Sequence, residues 1–153
     1  RGCSKEKKSI GYIYDGNVLL MIQKIMIRLS FVIREYKKKI HNSDDSENIN
    51  DIPFGTTYRN LLKKNAGHDL ISLLLHIDGI SITNSTKLKL WLLSGSIIEA
   101  PPKLRSCRRN MIVISIWIAY IEPPAHLWLN HCVNNLKRLK EKGMYMLLLM
   151  IFN

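Results

Sequence analysis

The feature that most constrains this chain is a set of short apolar runs, each cut off by a turn or breaker signal. Ile71-Ser72-Leu73-Leu74-Leu75-His76-Ile77 is almost continuously apolar and is followed by Asp78-Gly79. Leu88–Ile98 is rich in Leu, Ile and Trp and meets Pro101-Pro102. Met111–Ile121 is heavy in β-branched and aromatic residues and ends at Pro123-Pro124. Runs of this length, bounded in this way, fit strands buried on both faces rather than helices. The apolar tail Met144–Phe152 reads as a fourth strand; it is too short to cross a bilayer as a helix, which needs about 20 residues.

Two segments carry the other period. Leu19, Ile22, Met26, Leu29, Ile33 and Tyr36 recur in steps of three and four, which predicts a helix over residues 17–40. Gln23, Lys24 and Arg28 interrupt its hydrophobicity, so it is not a membrane span. Leu129, Cys132, Val133, Leu136 and Leu139 make a second stripe, predicting a helix over 125–142 that Gly143 terminates. A short helix is expected over 57–64. The second half then reads β-β-β-α-β.

Charge divides the chain. Lys and Arg number 23 against 12 Asp and Glu, a formal charge of +11. Residues 1–40 hold ten basic and three acidic residues, and residues 79–153 hold the same numbers. Between them, Asn42–Asp51 has four acids and no base, the composition of a solvated linker. The expected organisation is a basic helical extension at 1–41, an acidic linker at 42–56 and a domain at 57–153. With 46% hydrophobic residues, the chain has enough apolar mass for a packed core. The basic excess favours a polyanionic partner, with nucleic acid the commonest inside a cell. A solvated surface in a lysine-biased proteome is the plainer alternative. Lys103, Arg105, Arg108 and Arg109 form the densest basic patch beside a loop, and phosphate contact is expected there. Lys37–Lys39 and Lys5, Lys7 and Lys8 are weaker, short basic clusters that could serve nuclear import or nothing.

Several chemistries find no support in the spacing. Cys3, Cys107 and Cys132 form no CxxC and are odd in number, which fits a reducing, intracellular setting. His126 and His131 are five apart on a helix, about 140° around the axis, and do not chelate together. Ser81, Ser85 and Ser115 suggest no triad, and there is no Gly-rich phosphate loop, so no small-molecule substrate is expected. Trp91, Trp117 and Trp128 read as core anchors, and His76 as a hydrogen-bonded core histidine. The chain opens on Arg1 and stops at Asn153 directly after an apolar run, from which an incomplete gene product is expected.

A more specific likeness lies in an ordered set of short motifs. His76-Ile77-Asp78-Gly79-Ile80, Ser85, Leu90-Trp91 and Ile98-Glu99-Ala100-Pro101-Pro102-Lys103-Leu104-Arg105 come first. Glu122-Pro123-Pro124 and Leu136–Gly143 follow, and Asp51-Ile52-Pro53-Phe54 with Tyr58-Arg59-Asn60-Leu61-Leu62 precede them. Over roughly residues 51–143 this order resembles the CACTA (En/Spm-like) transposases and their animal relatives. The resemblance implies an α+β or α/β fold: a truncated ribonuclease-H-like core (β-β-β-α-β) preceded by an N-terminal helix. It implies a DDE/D nuclease core in which three carboxylates hold two Mg²⁺ or Mn²⁺ ions and DNA is the substrate. Two such ions clamp the attacking and leaving oxygens of a phosphoryl displacement. Hard cations of this kind prefer oxygen ligands.

On that resemblance Asp78 is the first carboxylate, at the end of the first strand, with Gly79 letting the backbone turn. The plain reading of Asp-Gly is a strand-ending turn. The remaining acids are poorly placed to help. Glu99 falls at the opposite end of an antiparallel meander, Glu122 two strands away and Glu141 on the helix, while Asn153 carries an amide where a carboxylate is wanted. The expectation is a transposon-derived fragment without nuclease activity and with no tightly held metal, acting in the nucleus if it acts at all. A non-catalytic nucleic-acid-binding or interaction module, and a decayed reading frame, stand as alternatives.

Overall fold

The computed structural model describes residues 11–42, 51–65, 70–82, 87–141 and 146–150, with backbone alone for 140–141 and 146–150. The fold is mixed α+β. A four-residue strand, β1 (Tyr12–Asp15), precedes the long helix α1 (Val18–Asn42). A 3-10 turn at Ile52–Phe54 leads into α2 (Thr56–Lys64). Strands β2 (Ile71–Ser81) and β3 (Lys89–Ile97) follow, then a short helix α3 (Pro102–Arg105) and a 3-10 turn at Arg108–Asn110. Strand β4 (Ile112–Ala119), helix α4 (Ala125–Glu141) and strand β5 (Met146–Met150) complete the order.

The five strands form one sheet in the order β1-β4-β3-β2-β5. β2, β3 and β4 make an antiparallel meander, and β1 adds antiparallel to β4. α4 carries the chain across to β5, which lies parallel to β2 with Ile71 opposite Met146 and Leu75 opposite Met150. Parallel neighbours require such a crossover, because a tight turn joins only antiparallel strands.

One face of the sheet is covered by both long helices. Leu73, Leu75, Leu93, Ile97, Ile112 and Ile114 meet Val18, Ile22, Ile25, Leu29 and Ile33 of α1 and Trp128, Cys132 and Leu136 of α4. Trp128 Nε1 donates to Ser115 Oγ at 3.0 Å, which satisfies both polar groups inside this core. Among the described residues the opposite face is covered at one end, where Ile40, Phe54 and Tyr58 close over Leu74 and Ile98. Beyond that end it is open. Cross-strand rows on it read Asp78, Leu92, Ile116, Tyr14 and Ile80, Leu90, Ile118, Tyr12. Ile80, Tyr12 and Tyr14 are each more than half exposed.

The structure alters three sequence expectations here. β2 does not stop at Asp78-Gly79; it runs four residues past Ile77, to Ser81. Gly79 pairs with Trp91, and a Cβ on it would sit 3.0 Å from the Trp91 ring. Its glycine is explained by that ring and not by a turn. Asp51–Phe54 is not a solvated linker: Pro53 and Phe54 are buried and Asp51 is held in an ion pair. Residues 43–50 of the expected linker, and Gly143 and Asn153, lie outside the described residues. Finally, β1 was not expected from sequence.

Candidate functional site

The two groups of residues singled out from sequence lie at opposite ends of the sheet. The connection from β3 to β4 holds α3 and the 3-10 turn, and it leaves β3 at the end where Ile97 pairs with Leu73. Asp78 is five residues further along β2, opposite Leu92. At about 3.3 Å per residue the basic loop and Asp78 are separated by roughly 17 Å along the strand.

Within the loop the four basic side chains do not act together. Lys103, Arg108 and Arg109 are exposed. Arg105 turns inward, which corrects the expectation that it belongs to a phosphate-facing patch. Its Nη1 and Nη2 donate to Asp51 Oδ1 and Oδ2 at 2.8 and 2.9 Å, and Nη2 also donates to the Ile98 and Ala100 carbonyls at 2.7 and 3.0 Å. Both side chains of the pair are at most one-tenth exposed. A guanidinium used in this way has little left to offer a phosphate. Burial alone would raise the Asp51 pKa, but the hydrogen bonds from Arg105 and Tyr36 outweigh it and hold the carboxyl below its usual range. Burial, then the Asp51 carboxylate, push the Tyr36 hydroxyl above its usual range.

Two residues that the sequence did not flag hold the loop in shape. Arg28, on α1, donates through Nη2 to the Arg109 carbonyl at 2.9 Å and to Asn110 Oδ1 at 2.5 Å. Asn110, buried, donates through Nδ2 to the Leu104 carbonyl at 2.7 Å. Asn110 thus closes α3 onto the 3-10 turn, and Arg28 fixes both to α1. The exposed cations Lys103, Arg108 and Arg109 are therefore carried by a braced loop. Nothing in local sequence marks either partner, since Arg28 and Asn110 are 82 residues apart.

Asp78 is exposed on the open face of the sheet. His76 shares that face, two residues away on β2, and lies 3.5 Å from Ser96 Oγ. It is exposed, so it is not the core histidine expected from sequence. Leu92 and Ile116 continue the row from Asp78. Glu99 is wholly buried at the other end of the sheet, where Tyr58 Oη and the Ser72 amide donate to it at 2.6 and 2.9 Å. Burial, then the Glu99 carboxylate, push the Tyr58 hydroxyl above its usual range. Glu122 is taken up by an exposed pair with Lys89 at 3.1 Å. Among the described residues, no group of three or more His, Cys, Asp or Glu comes together as a metal site. The row of apolar side chains beside Asp78 does not fit a pair of hard cations, which need oxygen ligands.

No family model, curated protein or solved structure matches this chain. Among the described residues no helix is long and apolar enough to cross a membrane.

His131 Nε2 meets Asp15 Oδ2 at 2.7 Å, and Asn135 Nδ2 reaches the same oxygen at 3.3 Å, tying α4 to β1. His126 is exposed and takes no part in this cluster. Cys132 is buried beside Ser115, and burial raises its thiol pKa, which makes it a poor nucleophile. Cys107 bonds to the Lys103 carbonyl through Sγ at 3.2 Å.

Proposed function

We propose that this chain is a transposon-derived protein, related to the DDE/D-type DNA transposases, that binds DNA through a braced basic loop and does not cut it. The observation that carries the reading is the topology around β2. That strand is flanked by antiparallel β3 and by parallel β5, which is reached through α4, and it presents Asp78 on its open face. A ribonuclease-H-like core has this arrangement, with its first acid on the strand in the position of β2. The motif order at residues 51–143 supports the same descent. The pairing of β5 with β2 ends at Leu75–Met150, three residues short of Asp78. In the intact family a second carboxylate is expected just past that point.

The DNA contact is electrostatic in this reading. Lys103, Arg108 and Arg109 neutralise phosphates and release counterions, so affinity falls as salt rises. Contacts of this kind fix position on the duplex and carry no sequence information themselves. A protein acting on chromosomal DNA would reside in the nucleus. Mg²⁺ or Mn²⁺ belongs to the intact family's chemistry and is not assigned to this chain.

The test has two arms. A supercoiled plasmid with Mn²⁺ or Mg²⁺ is expected to stay uncut, while labelled duplex DNA is retarded at low salt. Cutting that disappears in Asp78→Asn would show a working nuclease and overturn the inert reading. Reading the genomic sequence beyond the codon for Asn153 tests the descent. An in-frame acid soon after β5, or inverted repeats flanking the gene, supports it, and the absence of both counts against it.

A further inference from the structure

The outer face of α1 carries a second pattern that the core does not use. Ile22, Ile25, Leu29, Ile33 and Ile40 are buried against the sheet. On the opposite side, Leu20, Ile27 and Phe31 are 43%, 79% and 72% exposed. At about 100° per residue these three lie within roughly 40° of one another and extend over about 16 Å of helix. With Lys24, Arg34 and Lys38 they complete an alternating spacing of four and three: 20, 24, 27, 31, 34, 38. That is the spacing of a two-helix seam, in which apolar positions interlock and polar ones set register.

We propose that this face of α1 is a docking seam for an acidic amphipathic helix of a partner protein. Charge and width decide among the candidate occupants. Nucleic acid would satisfy Lys24, Arg34 and Lys38 but leave Ile27 and Phe31 in water. A bilayer surface calls for a broad apolar sector, whereas this one is narrow and has cations within it. A second copy of α1 would set cations against cations in a chain whose net charge is already +11. A helix with apolar residues facing Leu20, Ile27 and Phe31 and carboxylates facing the three cations satisfies every position. Lys38 is free to change partner cheaply, because its pair with Glu35 at 2.8 Å is a surface contact. The seam residues are not those that hold or line the braced loop, so this inference does not depend on the DNA-binding reading.

The probe is a synthetic four-heptad peptide with Leu at the seam, Glu opposite the cations and a fluorescent label. It is titrated with the full chain by anisotropy, beside a matched peptide carrying Lys in place of Glu. The acidic peptide is expected to bind in the micromolar range, and Ile27→Glu or Phe31→Glu to weaken it by about tenfold each. Both positions are exposed, so circular dichroism should be unchanged. The pair Lys24→Glu with Arg34→Glu should reverse the preference toward the Lys peptide. Absence of binding at about 100 µM, equal affinity for the two peptides, or indifference to Ile27→Glu and Phe31→Glu overturns the proposal. So does Phe31-dependent sedimentation with anionic vesicles, or Phe31-dependent dimerisation of the chain alone.

Discussion

Arg105 and Asp51 lie 54 residues apart in sequence and meet through two parallel hydrogen bonds of 2.8 and 2.9 Å, almost out of contact with solvent. The pair fastens the segment before α2 to the end of β3 and the start of the basic loop. Tyr36 of α1 donates to the same carboxylate, and its ring meets Phe54 edge to face. The Asp51 carboxylate thus joins α1 and the loop that carries Arg105 to the segment before α2.

Removing one partner of a buried pair costs far more than the pair's net worth, because the other charge is stranded. Arg105→Ala is expected to destabilise the fold by about 3–5 kcal/mol. Exposed Lys103→Ala, Arg108→Ala and Arg109→Ala should each stay within about 0.5 kcal/mol. Urea unfolding of the four variants checks this, and similar midpoints for all four would contradict the buried latch.

Stability should fall at both ends of the pH scale, for opposite reasons. The Asp51 carboxyl is held below its usual range, so its contribution is present above the unfolded pKa of about 3.9 and is lost as pH falls through the folded value. The Tyr36 and Tyr58 hydroxyls are raised, so their contribution is present below about pH 10 and is lost as pH rises toward the folded values. Denaturant midpoints across pH should show a plateau with an acid and an alkaline limb. Asp51→Asn should flatten the acid limb, and Tyr36→Phe with Tyr58→Phe the alkaline one.

Glu99 accepts hydrogen bonds from Tyr58 and from the Ser72 amide. Glu99→Gln keeps the shape but can turn an amide donor toward the Ser72 amide, itself a donor. A loss of about 1–3 kcal/mol is expected from the unmet buried group. The Tyr58→Phe change should interact with it non-additively, since the two share one bond. Gln keeps an acceptor for Tyr58, so the cycle reads what the Glu99 carboxylate adds to that bond over an amide, and additive losses would show that it adds nothing.

Gly79 and Trp91 offer a cleaner pairwise test. A methyl at residue 79 would touch the Trp91 ring at 3.0 Å, tighter than ordinary contact. Gly79→Ala is expected to cost about 1 kcal/mol or more with Trp91 present. In a Trp91→Val background it should be neutral or stabilising, because Ala loses less backbone entropy than Gly in a strand. Equal effects in both backgrounds would mean that the ring yields without cost.

The elements carrying strong periodicity were legible in the sequence. The meander strands, α1 and α4 announce themselves by apolar runs or stripes, and the structure places them within a few residues of those expectations. β1 was not legible, because its four residues are all exposed and its strand character comes from pairing with β4. Asp78-Gly79 misled because an Asp-Gly pair is a turn signal locally, while its reason here is a ring on the neighbouring strand. Arg105 misled in the same manner: beside Lys103, Arg108 and Arg109 it looks like surface charge, and only a carboxylate 54 positions away reveals its role. Local sequence reports local preference, and both errors came from contacts made across the fold. The site's exposed cations were readable, whereas the residues bracing them, Arg28 and Asn110, were not.

The most direct test of the DNA-binding account is duplex affinity measured by anisotropy at several salt concentrations. With three phosphates neutralised, log affinity against log salt should fall with a slope of about −2.7. Reversing Lys103, Arg108 and Arg109 to Glu should abolish binding and leave urea stability close to that of the parent chain. An affinity indifferent to salt, or one that survives the triple reversal in a folded protein, would contradict the account.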